Sequence, residues 1–264
     1  MRAAVVLAVT AIVSQTINPS PLSLIKQTRP LLPAEVTQVL AASRHALDGQ
    51  RFRLAYVAGG PGIDIIAGPN GWPHWKRATH GVDSMSSGGG SSNGVAWSQP
   101  ATSEHVDLIT IVEYTDQAAR SCAGKPLDGN LIIEYERKTP PGTWTVTARI
   151  RSAAEELSPI FDTLADESLS SGEVRAINGR TARAFLAPYK FPASSGVITF
   201  SAPPPPMTKT LWLDVDTLLP VRWGVSVPAQ PNAPALPDYG LTFTYDASID
   251  IRAPEGVAAP TCVK

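Results

Sequence analysis

The sequence has little charge and no excess of either sign. Asp, Glu, Lys and Arg make up 17% of the 264 residues, against about a quarter in an average protein. The formal net charge at pH 7 is -1. Proteins that bind nucleic acid or an anionic membrane by surface charge carry a basic excess, so these partners are not expected. Hydrophobic residues are still 43% of the chain, which predicts a folded protein.

The amino-terminal apolar run is too short to cross a membrane. Arg2 precedes the uncharged residues 3–13, whereas a transmembrane helix needs about 20 apolar residues. One cation followed by such a run is typical of a secretory signal, here predicted over residues 1–14. An apolar strand or a misassigned start codon is the alternative. We therefore expect a periplasmic or secreted protein with no transmembrane segment in its mature form.

Cysteine is scarce, since only Cys122 and Cys262 are present. An even pair in an exported chain predicts one disulfide. That bond would close a loop of about 140 residues and stabilise the fold by roughly 4 to 5 kcal/mol in the chain-entropy model. Two unpaired buried thiols are the alternative, and two cysteines alone do not indicate a metal site.

Proline and glycine are abundant, at 25 and 20 residues, so long helices are not expected to dominate. Residues 15–32 are predicted to be a flexible linker and residues 33–264 a single domain. A 3.6-residue apolar stripe predicts a helix over Pro33–Leu47. A capping-box pattern predicts a second helix over Ser152–Leu164, which Pro159 could interrupt.

The remaining chain alternates apolar and polar residues with period two, which predicts short strands. Asn178-Gly179 is the strongest hairpin signal. The Gly/Ser-rich segment Ser84–Gly94 is expected to be a flexible loop, and Pro203–Pro206 an extended bridge. The strands are predicted at 51–56, 63–67, 72–76, 106–114, 131–136, 144–150, 174–177, 181–186, 197–201, 211–213, 221–227 and 241–245.

These elements predict a curved sheet. Ten strands spaced about 4.8 Å apart would form a flat sheet close to 50 Å wide, and two helices cover only about 20 Å of it. We therefore expect a mainly β fold, an antiparallel half-barrel with helices over its concave apolar face. That face is either an ordinary packed core or an apolar cavity. The candidate cavity residues are Phe52, Leu54, Tyr56, Ile133, Tyr135, Trp144, Val146, Leu211, Leu213, Trp223, Val225, Phe243 and Tyr245.

No catalytic or metal-binding pattern is convincing. Gly90–Gly94 has the letters of the G-x-S-x-G nucleophile elbow, with Ser92 at its centre, but lacks the strand and helix that the motif requires. His74 and His80, with Asp83, have no zinc spacing and are expected in exposed loops. The carboxylates Glu134 and Glu136 share the polar face of one strand. We expect no cofactor, no metal and no enzyme activity.

Asp214 and Asp216 begin like a calcium loop but lack the glycine that follows. Asp214–Leu219 is therefore interpreted as a turn between two strands.

In the carboxyl-terminal strands, Trp212 with Asp214 is followed by Leu219-Pro220-x-Arg222. This pattern, within about Gly172–Pro254, resembles the closing strands of the LolA-like superfamily, which includes the periplasmic lipoprotein carriers, their mycobacterial lipoprotein relatives and the lipid-binding half of RseB-type regulators. It implies a curved half-barrel with an apolar cavity under its helices. It carries over no binding residue, and the Gly/Ser segment, the polyproline segment and the cysteine pair depart from the family pattern.

Three functions follow as hypotheses. The first is a non-enzymatic carrier of a lipid, an acyl chain or a lipoprotein. The second is a regulatory or structural interaction domain of the same fold, with a filled core and a protein partner in the cell envelope. The third is a secreted hydrolase that uses Ser92.

Overall fold

The computed structural model describes residues 19–57, 62–68, 75–86, 89–92, 95–98, 102–114, 130–138, 142–151, 163–166, 168–189, 206–226 and 239–258. The predicted signal peptide, both cysteines, residues 152–162, the strand expected at 197–201 and residues 203–205 lie outside these ranges. The elements are, in chain order, α1 Pro21–Ile25, α2 Pro33–Ala46, β1 Arg51–Tyr56, β2 Ile63–Ala67, β3 Trp75–Ser86, β4 Gly89–Ser92, β5 Val95–Ser98, β6 Thr102–Tyr114, β7 Asn130–Lys138, β8 Thr145–Arg151, β9 Ser170–Ile177, β10 Arg180–Pro188, β11 Thr208–Asp214, β12 Pro220–Ser226 and β13 Tyr239–Tyr245.

The architecture is one antiparallel sheet of eleven strands that does not close into a barrel. Its strand order is β8-β7-β6-β3-β2-β1-β13-β12-β11-β10-β9. Most neighbours in the sheet are neighbours along the chain, and the one long-range pair joins β13 to β1. β8 and β9 therefore lie at opposite edges. The mainly β class is confirmed.

The helix predicted over Pro33–Leu47 is confirmed as α2. Pro33 occupies its first turn, where a missing backbone N–H costs no hydrogen bond. Glu35 accepts a hydrogen bond from the backbone N–H of Leu32 at 2.8 Å. It also forms an ion pair with Arg29. Of the second predicted helix, Thr163 and Leu164 lie in the described ranges, and both are helical.

The Asn178-Gly179 hairpin is confirmed between β9 and β10. Both residues have positive φ, 50° at Asn178 and 77° at Gly179. That conformation matches the twist of two-residue hairpins and is tolerated by Asn and Gly.

The expectation of a flexible loop over Ser84–Gly94 is wrong. β3 continues to Ser86, and β4 pairs with β5 as a separate two-stranded sheet. A register shift in the pairing of β3 with β6 lies between Thr79 and Val82. Glycine and serine have low strand propensity, but backbone pairing with a neighbouring strand overrides it here.

The segment predicted as a linker is also partly structured. Residues 21–25 form α1, capped by the Ser20 side chain, which accepts from the backbone N–H of Ser23. Leu24 and Ile25 are fully buried in the main core. The proline and serine content suggested a linker, but Pro21 and Ser20 serve as the start of a helical turn.

The main core joins the helices to one face of the sheet. One cluster of buried side chains contains residues of α1, α2, β1, β2, β10, β11, β12 and β13. Among the described residues, no helix is both long and apolar enough to cross a membrane.

Candidate functional site

The candidate site is the apolar face that carries the main core. Residues paired directly across neighbouring strands share a face of the sheet. Phe52 pairs with Tyr245 and Leu54 with Phe243, and Leu241 pairs with Trp223, which pairs with Leu211. Nine of the thirteen predicted cavity residues are in or against this core: Phe52, Leu54, Tyr56, Leu211, Leu213, Trp223, Val225, Phe243 and Tyr245.

The other four predicted cavity residues do not share it. Ile133 pairs with Ile111, which pairs with Lys76, and that row continues through Ile66 to Arg51. Ile133 therefore faces the side of Arg51, opposite to Phe52. Ile133, Tyr135, Trp144 and Val146 form a separate cluster with Ile111 and Ala148. Their predicted placement in one cavity with Phe52 is wrong. Alternation shows which residues of one strand share a face, but it does not show which residues of a distant strand lie on that same face of the sheet.

The centre of the main core is filled. Phe52, Phe185 and Leu211 have 0% exposure. A side chain that lined a void large enough for water would keep some accessible area, so these three touch no such void.

One end of the same face is more open. Leu241 and Val225 are 8% and 9% exposed, and Tyr56, Tyr189 and Met207 are half-buried against the core. These residues lie where β1 and β10 end and where β11 and β13 begin. We call Tyr56, Tyr189, Met207, Val225 and Leu241 the apolar rim. Tyr56, Tyr189 and Met207 therefore keep some accessible apolar surface beside the fully buried centre of the core.

Residues 163–166 contact this face of the sheet. The Thr163 hydroxyl accepts a hydrogen bond of 3.0 Å from the indole N–H of Trp223 on β12. Asp166 forms an ion pair with Lys209 on β11. This pairing contributes to a lowered pKa at Asp166, against the raising effect of its own burial. Leu164, between them, is buried in the main core.

A buried arginine closes the β9 side of the core. Arg183 is almost fully buried, and its guanidinium donates to the carbonyl oxygens of Ile25 at 2.9 Å, Arg29 at 3.2 Å and Gly172 at 3.4 Å, and to that of Gln27. Burial lowers the pKa of Arg183. The side chain ties the segment after α1 to the sheet.

Sequence alternation could have found Arg183, since it shares a strand face with Phe185, and Leu241, since it shares one with Phe243. Tyr189 and Met207 lie just outside β10 and β11, where no periodic pattern marks them.

The catalytic candidates find no supporting geometry. Ser92 ends β4, which is paired with the strand β5 that follows it, whereas a nucleophile elbow leads from a strand into a helix. Glu134 and Glu136 lie on one face of β7 as expected, and Glu136 is exposed. His80 and Asp83 lie in β3 rather than in a loop, and His74 is outside the described residues. In the described part of the chain no three His, Cys, Asp or Glu residues form a metal-binding group.

Asp214–Leu219 is a turn, as expected. The Asp214 carboxylate accepts from the backbone N–H groups of Asp216 at 2.8 Å and Thr217 at 3.1 Å. Its second oxygen accepts from Arg180 at 3.3 Å. Leu218 has φ of 63°, an uncommon conformation for a non-glycine residue. Asp214 thus holds a strained turn between β11 and β12.

Comparison with known proteins gives no assignment: no protein-family model matches the chain, and no curated protein matches it.

Proposed function

We propose that the protein is a non-enzymatic, exported binder or carrier of a hydrophobic ligand such as a lipid, an acyl chain or the acyl groups of a lipoprotein. The observation that supports the proposal is a difference in side-chain burial along one apolar face. Its centre is fully buried in a core that includes side chains of α1 and α2, whereas Tyr56, Tyr189 and Met207 of the apolar rim are only half-buried. An apolar surface beside a packed core is where an acyl chain gains the most by leaving water.

We further propose that the sheet curves around the helices as a half-barrel. Arg151 ends β8 at one edge, and Thr163 contacts Trp223 on β12, seven strand positions away. In a flat sheet that separation is about 34 Å. The helix predicted from Ser152 would cover about 18 Å over the same twelve residues. Curvature brings the two ends of this connection within reach of each other.

The proposal places the chain with the LolA-like superfamily. Three features support this: the eleven-stranded open sheet, the helices that share its core, and the resemblance at Trp212, Asp214 and Arg222. In the proposed arrangement the ligand lies along the apolar rim and extends under the helices when these move away from the sheet.

A second candidate is an interaction domain of the same fold with no transported ligand. The full burial of Phe52, Phe185 and Leu211 favours it, because a core already filled by its own side chains leaves no space for an acyl chain. The two candidates differ in one measurable property, which is the uptake of lipid.

The deciding experiment is native mass spectrometry of the protein purified from the envelope fraction of its expression host. The carrier function predicts co-purified lipid, and delipidated protein should take up a fluorescent fatty acid. Leu241→Gln should weaken that uptake, because it introduces an amide into the apolar rim.

The matched control is Leu22→Gln, an exposed position on α1, which should leave uptake unchanged. Delipidated, folded wild-type protein that takes up no fatty acid would refute the carrier function and favour the interaction domain.

A further inference from the structure

A second concave surface lies on the face of the sheet opposite the main core. Side chains of β9, β10, β11 and β12 enclose a groove of about 390 Å³ there. We call it the arginine groove, and its principal lining residues are Glu173, Arg175, Ala184, Trp212, Arg222 and Gly224. Its volume is within the range of small-molecule sites, about 300 to 1,000 Å³.

Small residues create the groove. Ala184 on β10 pairs with Trp212 on β11, so the strand beside the indole carries only a methyl group. Gly224 on β12 pairs with Gly240 on β13, and neither brings a side chain. The floor is therefore low beside Trp212 on β10 and beside Thr210 on β12, where Gly224 is the cross-strand partner.

Two arginines of the groove lining are neighbours of Trp212. The Arg175 guanidinium lies 4.4 Å from the centroid of the Trp212 ring, and Arg222 is the cross-strand partner of Trp212. A guanidinium stacked by its face on an indole keeps its N–H groups at its edge, where they can donate to an anion in a fixed planar fork. The arrangement thus holds an anion-binding group beside an apolar surface.

Among the described residues that line the groove, basic side chains outnumber acidic ones. Arg175 and Arg222 are basic, and Glu173 is acidic and lies 3.5 Å from Arg175. The apolar lining is formed by Ala184, Leu186, Trp212 and Val225. A ligand that matches both parts carries one negative charge on a compact apolar body.

We propose that the arginine groove binds a small amphipathic carboxylate, with the carboxylate between Arg175 and Arg222 and the apolar body against Leu186 and the edge of Trp212. The proposal does not rest on the carrier function, because Arg175, Trp212 and Arg222 face the side of the sheet opposite the main core, although Val225 belongs to both the groove and the apolar rim. An incoming carboxylate replaces the Glu173 side chain as the partner of Arg175, so Glu173 opposes binding.

The test is isothermal titration calorimetry with 1-naphthoate as the probe. Arg175→Gln and Arg222→Gln should each weaken binding about tenfold, the usual effect of losing a charge-assisted hydrogen bond. Glu173→Gln should tighten binding about threefold, since it removes a competing charge. Arg252→Gln, at an exposed arginine outside the groove, should change nothing.

One ligand control and two further variants complete the design. Uncharged 1-naphthalenemethanol should bind at least about tenfold more weakly than 1-naphthoate. Leu241→Gln, in the apolar rim, should leave the 1-naphthoate affinity unchanged, whereas Gly224→Val should abolish binding by filling the groove.

Equal affinities for the acid and the alcohol would overturn the proposal, as would loss of binding in Leu241→Gln. If the arginine variants fail to fold by circular dichroism, Glu173→Gln decides the outcome. Glu173 is 66% exposed, so that variant should fold, and binding no tighter than that of wild type overturns the proposal.

Discussion

Phe52 on β1 and Ile133 on β7 belong to one sheet and face opposite sides of it. The directly paired row from Ile133 through Ile111, Lys76 and Ile66 ends at Arg51, the neighbour of Phe52. The sheet therefore has two apolar surfaces. One of them, around β1, shares a buried core with residues of the helices, and the second lies around β6, β7 and β8 on the opposite side.

The carboxyl-terminal segment contributes to this opposite side. Ile249 and Ile251 are buried with Ala78, and Val257 packs against the cluster of Ile133. The guanidinium of Arg51 donates to the carbonyl oxygen of Ile249 at 2.5 Å, which fixes the segment to β1.

Ile251→Asp should strongly destabilise the protein. It places a carboxylate among buried apolar side chains, and we expect the free energy of unfolding to fall by about 3 kcal/mol or more. Urea denaturation followed by tryptophan fluorescence measures it. Ala253→Asp, two residues along at an exposed position, should change the same quantity by less than about 0.5 kcal/mol. Equal effects of the two variants would show that the segment does not cover the sheet.

The sequence was sufficient to locate many elements but not to relate distant ones. Alternation correctly placed β1, β2 and β7, and Asn178-Gly179 placed a hairpin, because both signals are local. The opposite orientations of Phe52 and Ile133 depend on the register of four strand pairs, which no local pattern encodes. β4 was missed for a similar reason. Its Gly and Ser residues have low strand propensity, and its conformation depends on pairing with β5.

The candidate site, like the fold, was predicted only in part. Nine of the proposed cavity residues share the main core because their strands are neighbours in the sheet, although β13 and β1 are far apart in sequence. Alternation places Arg183 on the core face with Phe185 but does not reveal its role, because three of its four carbonyl acceptors, at Ile25, Gln27 and Arg29, lie more than 150 residues away along the chain.

Arg183→Met should be among the most destabilising substitutions in the described part of the chain. It leaves buried carbonyl oxygens without their donor, and each such group costs about 1 to 3 kcal/mol. We expect a loss of about 3 kcal/mol in the free energy of unfolding. Arg183→Lys should lose less, because the ammonium retains some of the hydrogen bonds. Thermal and urea denaturation check both variants.

The control for Arg183 is Arg252→Met, which removes an exposed guanidinium and should have an effect near zero. A wild-type stability in Arg183→Met would mean that the segment after α1 is held by its apolar contacts alone.

The turn between β11 and β12 depends on Asp214 more than on Asp216. Asp214 is buried and accepts from two backbone N–H groups and from Arg180. Asp214→Ala should therefore lower the free energy of unfolding by about 1 to 3 kcal/mol. Asp216→Ala removes only an exposed ion pair with Lys26, which is worth at most about 1 kcal/mol. Urea denaturation ranks the two, and a larger loss in Asp216→Ala would contradict the role given to Asp214.

Glu35 should make stability depend on pH in the acid range. The hydrogen bonds and ion pair from Arg29, helped by the backbone N–H of Leu32, lower the pKa of Glu35 from its ordinary value of 4.5 to about 2. A carboxyl whose pKa is lower in the folded state stabilises that state fully above its unfolded pKa. The contribution is lost as the pH falls from 4.5 through about 2.

Glu35→Gln should therefore differ most from wild type above pH 4.5, and the difference should shrink as the pH approaches 2. Urea denaturation at a series of pH values measures it. Glu255→Gln changes an exposed carboxyl outside the Arg29–Glu35 ion pair, so it is the matched charge change and should run parallel to wild type. A constant difference between Glu35→Gln and wild type across this range would show that ionised Glu35 contributes nothing to the folded state.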